Sequence, residues 1–581
     1  MEGFYNQYLK PYFEDDTVVV CVIFLLALIL RLSFLPHLIH DPAFVHPVVD
    51  CKEHNDLAFE ILNINNWRIN KFWYHTPGYA YFVAAVYKLL GHSVVRLAVI
   101  QYVLGSLAAA LVYFMAKRLV NRWAGMLAGV LMSTYWMLVY TQSHVYSENL
   151  SMLLNLLCVY ILVFSGDSWR KYLLSGMLLG ASVVVRPEML PFAGIVWVGL
   201  WVRRLAWRKI FKYYAWFIIG VAFCVLPLLL RNHQLSGHFM FREQIGVNFY
   251  MGSMPEYKGS NIYVKIGKYW EEVISKPYQR LGYDRYLTET EMNAFYIKEV
   301  LDYMKRHPFS WAGFMAGKIF SVLIGIDFLR TEDVYFYERY IRATPFSLVQ
   351  TWFICILALW GTVFSFKRER ERFIFPLLIL VSYLPALFFT YKTRYLVSLM
   401  PLLVLFAVYT LAAAAESVRR REWVALTTMI CAVTLLYGGV RWNPLDIRWP
   451  SLSEMYYAIG VNFEYFGDYG KAEEYFVKAL EVDPENLSAI NDLGAVNMQT
   501  GQFARAAENF QRALRLKDDP LYHNNYRVAL EYLKNGGDYN YEDFYSEEFR
   551  NRIVLYHYYF PYPYQGPIYH KSTHEILAGQ H

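Results

Sequence analysis

The chain has 581 residues, of which 56% are hydrophobic, 18% charged and 18% aromatic, with 50 Tyr and 16 Trp. Soluble proteins carry about 25% charge, so the deficit excludes a string of ordinary soluble domains and points to a membrane protein, while a mean hydropathy of only +0.21 demands a sizeable polar part as well. Disorder, collagen and nucleic-acid binding do not fit this composition, and the net charge of +6 is read as topology, because basic residues of membrane proteins collect in cytoplasmic loops.

A membrane span needs about 20 apolar residues. Runs that meet or nearly meet this are 17–36, 94–116, 123–140, 146–165, 172–185, 189–202, 213–230, 346–366, 373–390, 395–415 and 423–440, eleven predicted spans in all. The first follows the acidic Glu14-Asp15-Asp16 and ends at no small-residue cleavage site, so it reads as an uncleaved span. With the N-terminus in the cytoplasm, the inner loops 117–122, 170–171, 203–212, 367–372 and 419–421 hold 17 Lys and Arg, whereas the short outer turns hold only Arg186, Lys392 and Arg394. That is the positive-inside pattern. The apolar stretches 77–90 and 311–326 are read as interfacial helices on the outer face, since counting either as a span would turn 367–372 outward. Two long outer loops follow, 37–93 and 231–345, and the tail from 441 is also outside. Five of the six Cys lie in apolar runs and only Cys51 in a polar segment, so no disulfide framework is expected.

The tail repeats itself. Gly460 and Gly494, Ala472 and Ala506, Phe476 and Phe510, and Ala479 and Ala513 are each 34 residues apart, the tetratricopeptide period. Pro484 closes the first unit, and a capping helix is predicted at 521–534, ahead of a Tyr-rich segment. The predicted organisation is a membrane domain over 1–440, repeats plus cap over 451–535, and a tail over 536–581.

Polar groups at the ends of membrane helices are costly and therefore informative. Asp50, Asp56, His75, Glu148, Arg186, Glu188, Arg231 and Arg394 all fall at or near the outer surface in this topology. Any one of them alone reads as a solvated or snorkelling charge. Together they bring carboxylates and guanidiniums to one level from several helices, which suits a lipid-linked anionic substrate: arginines neutralise a departing phosphate and a carboxylate takes the proton of an attacking hydroxyl. No HExxH, Walker loop or GxGxxG occurs, and the 15 His are scattered. The predicted midplane positions are apolar and no half-repeat is visible, which speaks against a transporter or flippase. An inactive membrane-anchored repeat scaffold is the other rival.

Several blocks in series then carry a resemblance: Val48-Val49-Asp50 with Ala58; Phe72-Trp73-Tyr74-His75-Thr76-Pro77-Gly78-Tyr79; Tyr146-Ser147-Glu148; Val185-Arg186-Pro187; Arg231-Asn232; Asn248-Phe249-Tyr250-Met251-Gly252; His307-Pro308 with Lys318; and Arg394-Tyr395. Their order resembles GT-C superfamily membrane glycosyltransferases, in particular relatives of the protein O-mannosyltransferases and lipid A aminoarabinose transferases that carry C-terminal tetratricopeptide repeats. The resemblance implies an all-α polytopic fold and a polyprenyl-phosphate sugar donor. It makes Asp50 the catalytic carboxylate, with Asp56 the second choice. It gives Arg394 and Tyr395 the lipid phosphate, with His75, Lys392 and Arg231 as further donor contacts. Glu148, Arg186, His54 and Tyr79 are the implied sugar or acceptor contacts, although His54 stands where an aromatic Tyr is usual and His144 where an acid is. No cofactor is assigned; a divalent cation, as in some relatives, is left open. The expected partners are the donor, the bilayer, an acceptor protein, glycan or lipid, and a protein held by the repeats.

Overall fold

The computed structural model describes residues 15–39, 49–63, 76–237, 245–257, 289–326, 349–445, 451–465 and 467–535, with a few isolated positions between them. Every regular element among the described residues is helical, which makes the chain all-α as expected. It divides into two units, Met1–Tyr263 with Leu287–Trp449, and Val264–Tyr286 with Pro450–His581.

The first unit contains α1 (Asp16–Leu38), α2 (Val49–Asn63), α3 (Gly78–Leu90), α4 (Val94–Leu119), α5 (Arg122–Thr134), α6 (Trp136–Ser143), α7 (Glu148–Phe164), α8 (Trp169–Val185), α9 (Leu190–Val202), α10 (Trp207–Ser236), α11 (Ile245–Ser253), α12 (Glu289–Arg306), α13 (Pro308–Leu323), α14 (Thr351–Arg368), α15 (Arg370–Ser382), α16 (Met400–Arg419) and α17 (Trp423–Trp442). Six stretches are long and apolar enough to cross a membrane, namely α1, α4, α10, Glu371–Phe388, Thr393–Arg419 and α17; the bent pair α5–α6 makes a seventh. Each of the eleven predicted runs is mostly helical over its described residues, but α7, α9 with its leading 3-10 turn, and Thr351–Phe366 of α14 are apolar helices of 10–17 residues, and α8 has 17. Length alone therefore supports six or seven full crossings among the described residues.

Close packing is achieved with small residues, as it is where lipid supplies no hydrophobic driving force between helices. Gly176 and Gly180 on α8 lie directly against the backbone of Phe217 and Val221 on α10, and Gly361 on α14 lies against the Phe406 carbonyl on α16.

Two expectations need correcting. The run 17–36 is not apolar throughout: Arg31 on α1 is fully buried. The run 123–140 is not one helix either, because Tyr135 adopts φ −67°, ψ 110° and breaks it into α5 and α6, which meet at 48°. The two corrections explain each other. A helix end inside a bilayer leaves carbonyls unbonded, and Arg31 supplies the donors, to Met132 O at 3.3 Å and Ser133 O at 3.4 Å, while its Nε donates to Gln142 Oε1 at 2.7 Å. The far end of α6 is served likewise: Gln101 donates to the carbonyls of Gln142 at 3.2 Å and His144 at 2.9 Å, and Asn149 to that of Thr141 at 2.7 Å. These polar groups are thus occupied in closing a helix break. Arg31→Met is expected to lower the stability of the detergent-purified protein by about 3 kcal/mol, the order of two buried hydrogen bonds to a charged donor. A thermal-unfolding measurement checks this, with Arg31→Met/Gln142→Leu expected to recover part of the loss.

The second unit holds α18 (Leu452–Tyr465), α19 (Tyr469–Val482), α20 (Leu487–Gln499), α21 (Phe503–Leu516) and α22 (Pro520–Asn535). The 34-residue period is visible as repeated contacts. A Cβ on Gly460 would meet the Phe476 ring at 2.6 Å, and one on Gly494 the Phe510 ring at 2.6 Å. Ala472, Phe476 and Ala479 are buried in α19 as Ala506, Phe510 and Ala513 are in α21. Asn525 on α22 donates to Asn491 at 2.9 Å, tying the helix predicted at 521–534 to the second repeat.

Candidate active site

The first unit brings five of the sequence-predicted residues into one buried network. Asp50 sits in the first turn of α2, where the helix N-terminus favours a carboxylate. Glu148 opens α7 in the same way and is only 1% exposed; the capped end of α6 fixes the Tyr146-Ser147 link that leads to it. Arg186 follows α8 in extended conformation, φ −145° and ψ 106°, as the residue before a proline tends to. Lys392 is likewise extended, and Arg394 lies in a 3-10 turn, Thr393–Leu399, ahead of α16.

Arg394 connects the set. Its guanidinium is ion-paired to Asp50 through one terminal nitrogen and lies 3.3 Å from Glu148 Oε1 through Nε. Lys392 Nζ stands 3.5 Å from the same Asp50 oxygen. Arg186 completes the chain, 2.7 Å from Glu148 Oε1 and 3.4 Å from Glu188 Oε1. Two aromatic faces back the cations: Arg394 lies 4.1 Å from the centre of the Tyr146 ring, and Arg186 4.6 Å from that of Tyr395. Cation–π contacts of this kind hold a guanidinium in place without consuming its N–H donors. Side-chain exposures of 2–13% for Asp50, Glu148, Arg186, Lys392 and Arg394 put the network in a low-dielectric setting, where charge–charge terms are far stronger than in water.

Tyr395 and Glu188 border this network through Arg186, whereas Asp56, His54, Tyr79 and Arg231 lie outside it. Asp56 is six residues from Asp50 on α2, about 120° around the helix axis, and its carboxylate meets Lys52 at 2.8 Å with roughly a third of each side chain exposed. His54 is buried edge-on against the Tyr79 ring, 5.0 Å between centres. Tyr79 is fully enclosed and donates its hydroxyl to Gln101 at 2.9 Å. Arg231, half-buried at the end of α10, donates to Asn232 at 2.7 Å. His75, with Phe72, Trp73 and Tyr74, lies outside the described residues.

Two further buried residues of the first unit were not among the predicted site residues. Tyr383, where α15 ends, is 4% exposed, and its hydroxyl has no hydrogen-bond partner among the described residues; it lies within electrostatic reach of Arg186, Glu188 and Glu148. Lys318, on α13, is fully buried. In the sequence it stands as a lone lysine in the apolar run 311–326 and as part of one of the resemblance blocks, with no role attached. Among the described residues, no three His, Cys, Asp or Glu are grouped to hold a metal ion.

This is the geometry against which similarity to known proteins is to be set. Residues 74–230 match the dolichyl-phosphate-mannose-protein mannosyltransferase family. The family anticipated from the residue blocks is the one whose model matches. The matched stretch contains Tyr146, Glu148 and Arg186 but ends short of Arg231, Lys392 and Arg394, and it begins after Asp50. Residues 466–527 match the tetratricopeptide repeat. Among solved structures, the apo oligosaccharyltransferase of Archaeoglobus fulgidus is similar with a TM-score of 0.40 and 11% identity, over 80% of this chain and 60% of that one. ArnT from Cupriavidus metallidurans in the apo state is similar with a TM-score of 0.32 and 14% identity, over 69% of this chain and 79% of that one. The chain thus spans 60% of the length of the first. No curated protein matches it significantly in sequence.

Proposed function

We propose that the chain is an integral membrane glycosyltransferase that moves a monosaccharide from a polyprenyl-phosphate donor to an acceptor hydroxyl, on the extracytoplasmic face. The observation that carries this reading is the buried network in which Asp50 and Glu148 are bracketed by Lys392, Arg394 and Arg186. The family match over 74–230 supports the reaction class, and the 17 Lys and Arg of the opposite loops support the sidedness.

The chemistry follows from charge. The donor is a phosphodiester with one negative charge; the acceptor oxygen attacks the anomeric carbon, the carbon–oxygen bond to phosphate breaks, and polyprenyl phosphate leaves with a second negative charge. Arg394 and Lys392 are placed to stabilise that added charge. Asp50 takes the acceptor proton, and a single displacement inverts the anomeric centre. Arg186 holds Glu148 for contacts to sugar hydroxyls. Asp50 is ion-paired with both Arg394 and Lys392, so a donor phosphate that binds these cations competes with it and frees its carboxylate to act as base. The repeats hold an acceptor or partner protein in this reading; full transfer to the native acceptor after truncation at Trp442 would remove that part.

The test is direct. A strain lacking the protein is expected to accumulate a polyprenyl-phosphate sugar, and the purified protein to transfer that sugar; no accumulation and no transfer would leave the scaffold or transporter reading instead. Within the assay, Asp56→Asn is expected to keep activity within about threefold of the parent, because a carboxylate about one-third exposed and paired to Lys52 contributes little. A loss as large as that of Asp50→Asn would reassign the base.

A further inference from the structure

Lys318 is a lysine where an apolar side chain would be cheaper. Its ammonium is fully buried and donates to two main-chain carbonyls, Gly252 O at 2.7 Å and Phe389 O at 2.7 Å. Burial lowers its pKa well below the usual lysine range, and among the described residues no carboxylate acts on it. Burying such a group is unfavourable unless it is fully employed, and here it joins two segments distant in sequence.

One segment is α11, in the second predicted outer loop. The other is the extended segment from Phe389 that leads, three and five residues later, to Lys392 and Arg394. Further bonds join the same two pieces: Ser253 Oγ donates to Phe388 O at 2.7 Å, Thr390 N to Asn248 O at 3.0 Å, and Thr390 Oγ1 to Asn248 Oδ1 at 2.9 Å. Gly252 lets the backbones touch, since a Cβ there would collide with the main chain of Phe389. Only a donor with several N–H groups at one point bridges both carbonyls at once.

We propose that Lys318 is a positioning residue that docks the arm 388–394 onto α11 and so sets the place of Lys392 and Arg394 against the donor phosphate. The proposal deepens the glycosyltransferase reading and rests on it. Lys318 touches neither Asp50 nor Glu148 among its hydrogen bonds and acts through the arm.

The test uses the full chain in nanodiscs. Lys318→Met is expected to raise the Kd for a long-chain polyprenyl phosphate and the donor KM by about tenfold or more, with the acceptor KM unchanged. A cysteine pair, Asn248→Cys/Thr390→Cys, reports the docking itself. Lys318→Met is expected to lower its disulfide yield, and oxidation of the triple variant to return the donor KM to within about threefold of the parent. Unchanged disulfide yield in Lys318→Met overturns the proposal, as does an equal loss toward both substrates that the disulfide does not restore. If the parent neither transfers sugar nor binds polyprenyl phosphate, the glycosyltransferase reading fails, and the disulfide yield alone decides whether Lys318 docks the arm.

Discussion

Replacing Asp50 by Asn is expected to cut sugar transfer by about 10²–10⁴-fold, the usual contribution of a general base, while tightening the binding of polyprenyl phosphate. The second effect is the more discriminating. Asp50 is a counter-ion of Arg394 and Lys392, so an incoming phosphate must displace a carboxylate that Coulomb attraction holds in place. Asparagine keeps the shape and removes that competitor. A gain of about tenfold in affinity corresponds to 1.4 kcal/mol, modest for one charge in a poorly solvated site. Titration of the purified variant with polyprenyl phosphate and a transfer assay at saturating donor measure the two effects separately. Unchanged or weaker phosphate binding would show that Asp50 and the phosphate do not share these cations, and surviving transfer would remove Asp50 as the base.

Arg394→Ala is expected to do the opposite to binding. It removes the group shared by Asp50 and Glu148 and leaves a buried carboxylate short of its cation, which typically costs about 3–5 kcal/mol. The free protein should therefore unfold at lower temperature, and the donor KM should rise by about 100-fold, since the missing guanidinium is also the proposed phosphate clamp. Arg394→Lys restores charge but not the fork that reaches two carboxylates from Nε and a terminal nitrogen together, so partial rescue of binding is expected with little rescue of stability. Kinetics in both substrates and thermal unfolding of the same preparations check this. A donor KM within twofold of the parent would place the phosphate elsewhere.

The helices were legible because long apolar runs have few other uses, and the repeats because a packing rule imposed at a fixed interval leaves glycine and phenylalanine at that interval. Asp50, Glu148, Arg186, Lys392 and Arg394 could be named one by one from residue blocks. That Arg394 faces Asp50 across 344 positions could not be read, because no local periodicity encodes a contact between helices so far apart. Arg31 was absorbed by the strongly apolar residues around it. The break at Tyr135 went unseen because neither Pro nor Gly marks it, so its cause is tertiary. Asp50 and Asp56 looked alike in sequence; helix geometry and an i,i+4 lysine, Lys52, separate them.

The pairing of Arg31 with the α5–α6 break bears on how the protein is made. Arg31 on α1 leaves the ribosome well before its acceptors Met132, Ser133 and Gln142, which come 101–111 residues later. At about 5–20 residues per second, that is a wait on the order of 5–20 s, during which a guanidinium that disfavours insertion by about 2.5–3.5 kcal/mol must be tolerated by the apolar turns around it. The apolar side chains that flank Arg31 along α1 serve this purpose: they are a down payment on bonds that can close only when α5 and α6 arrive.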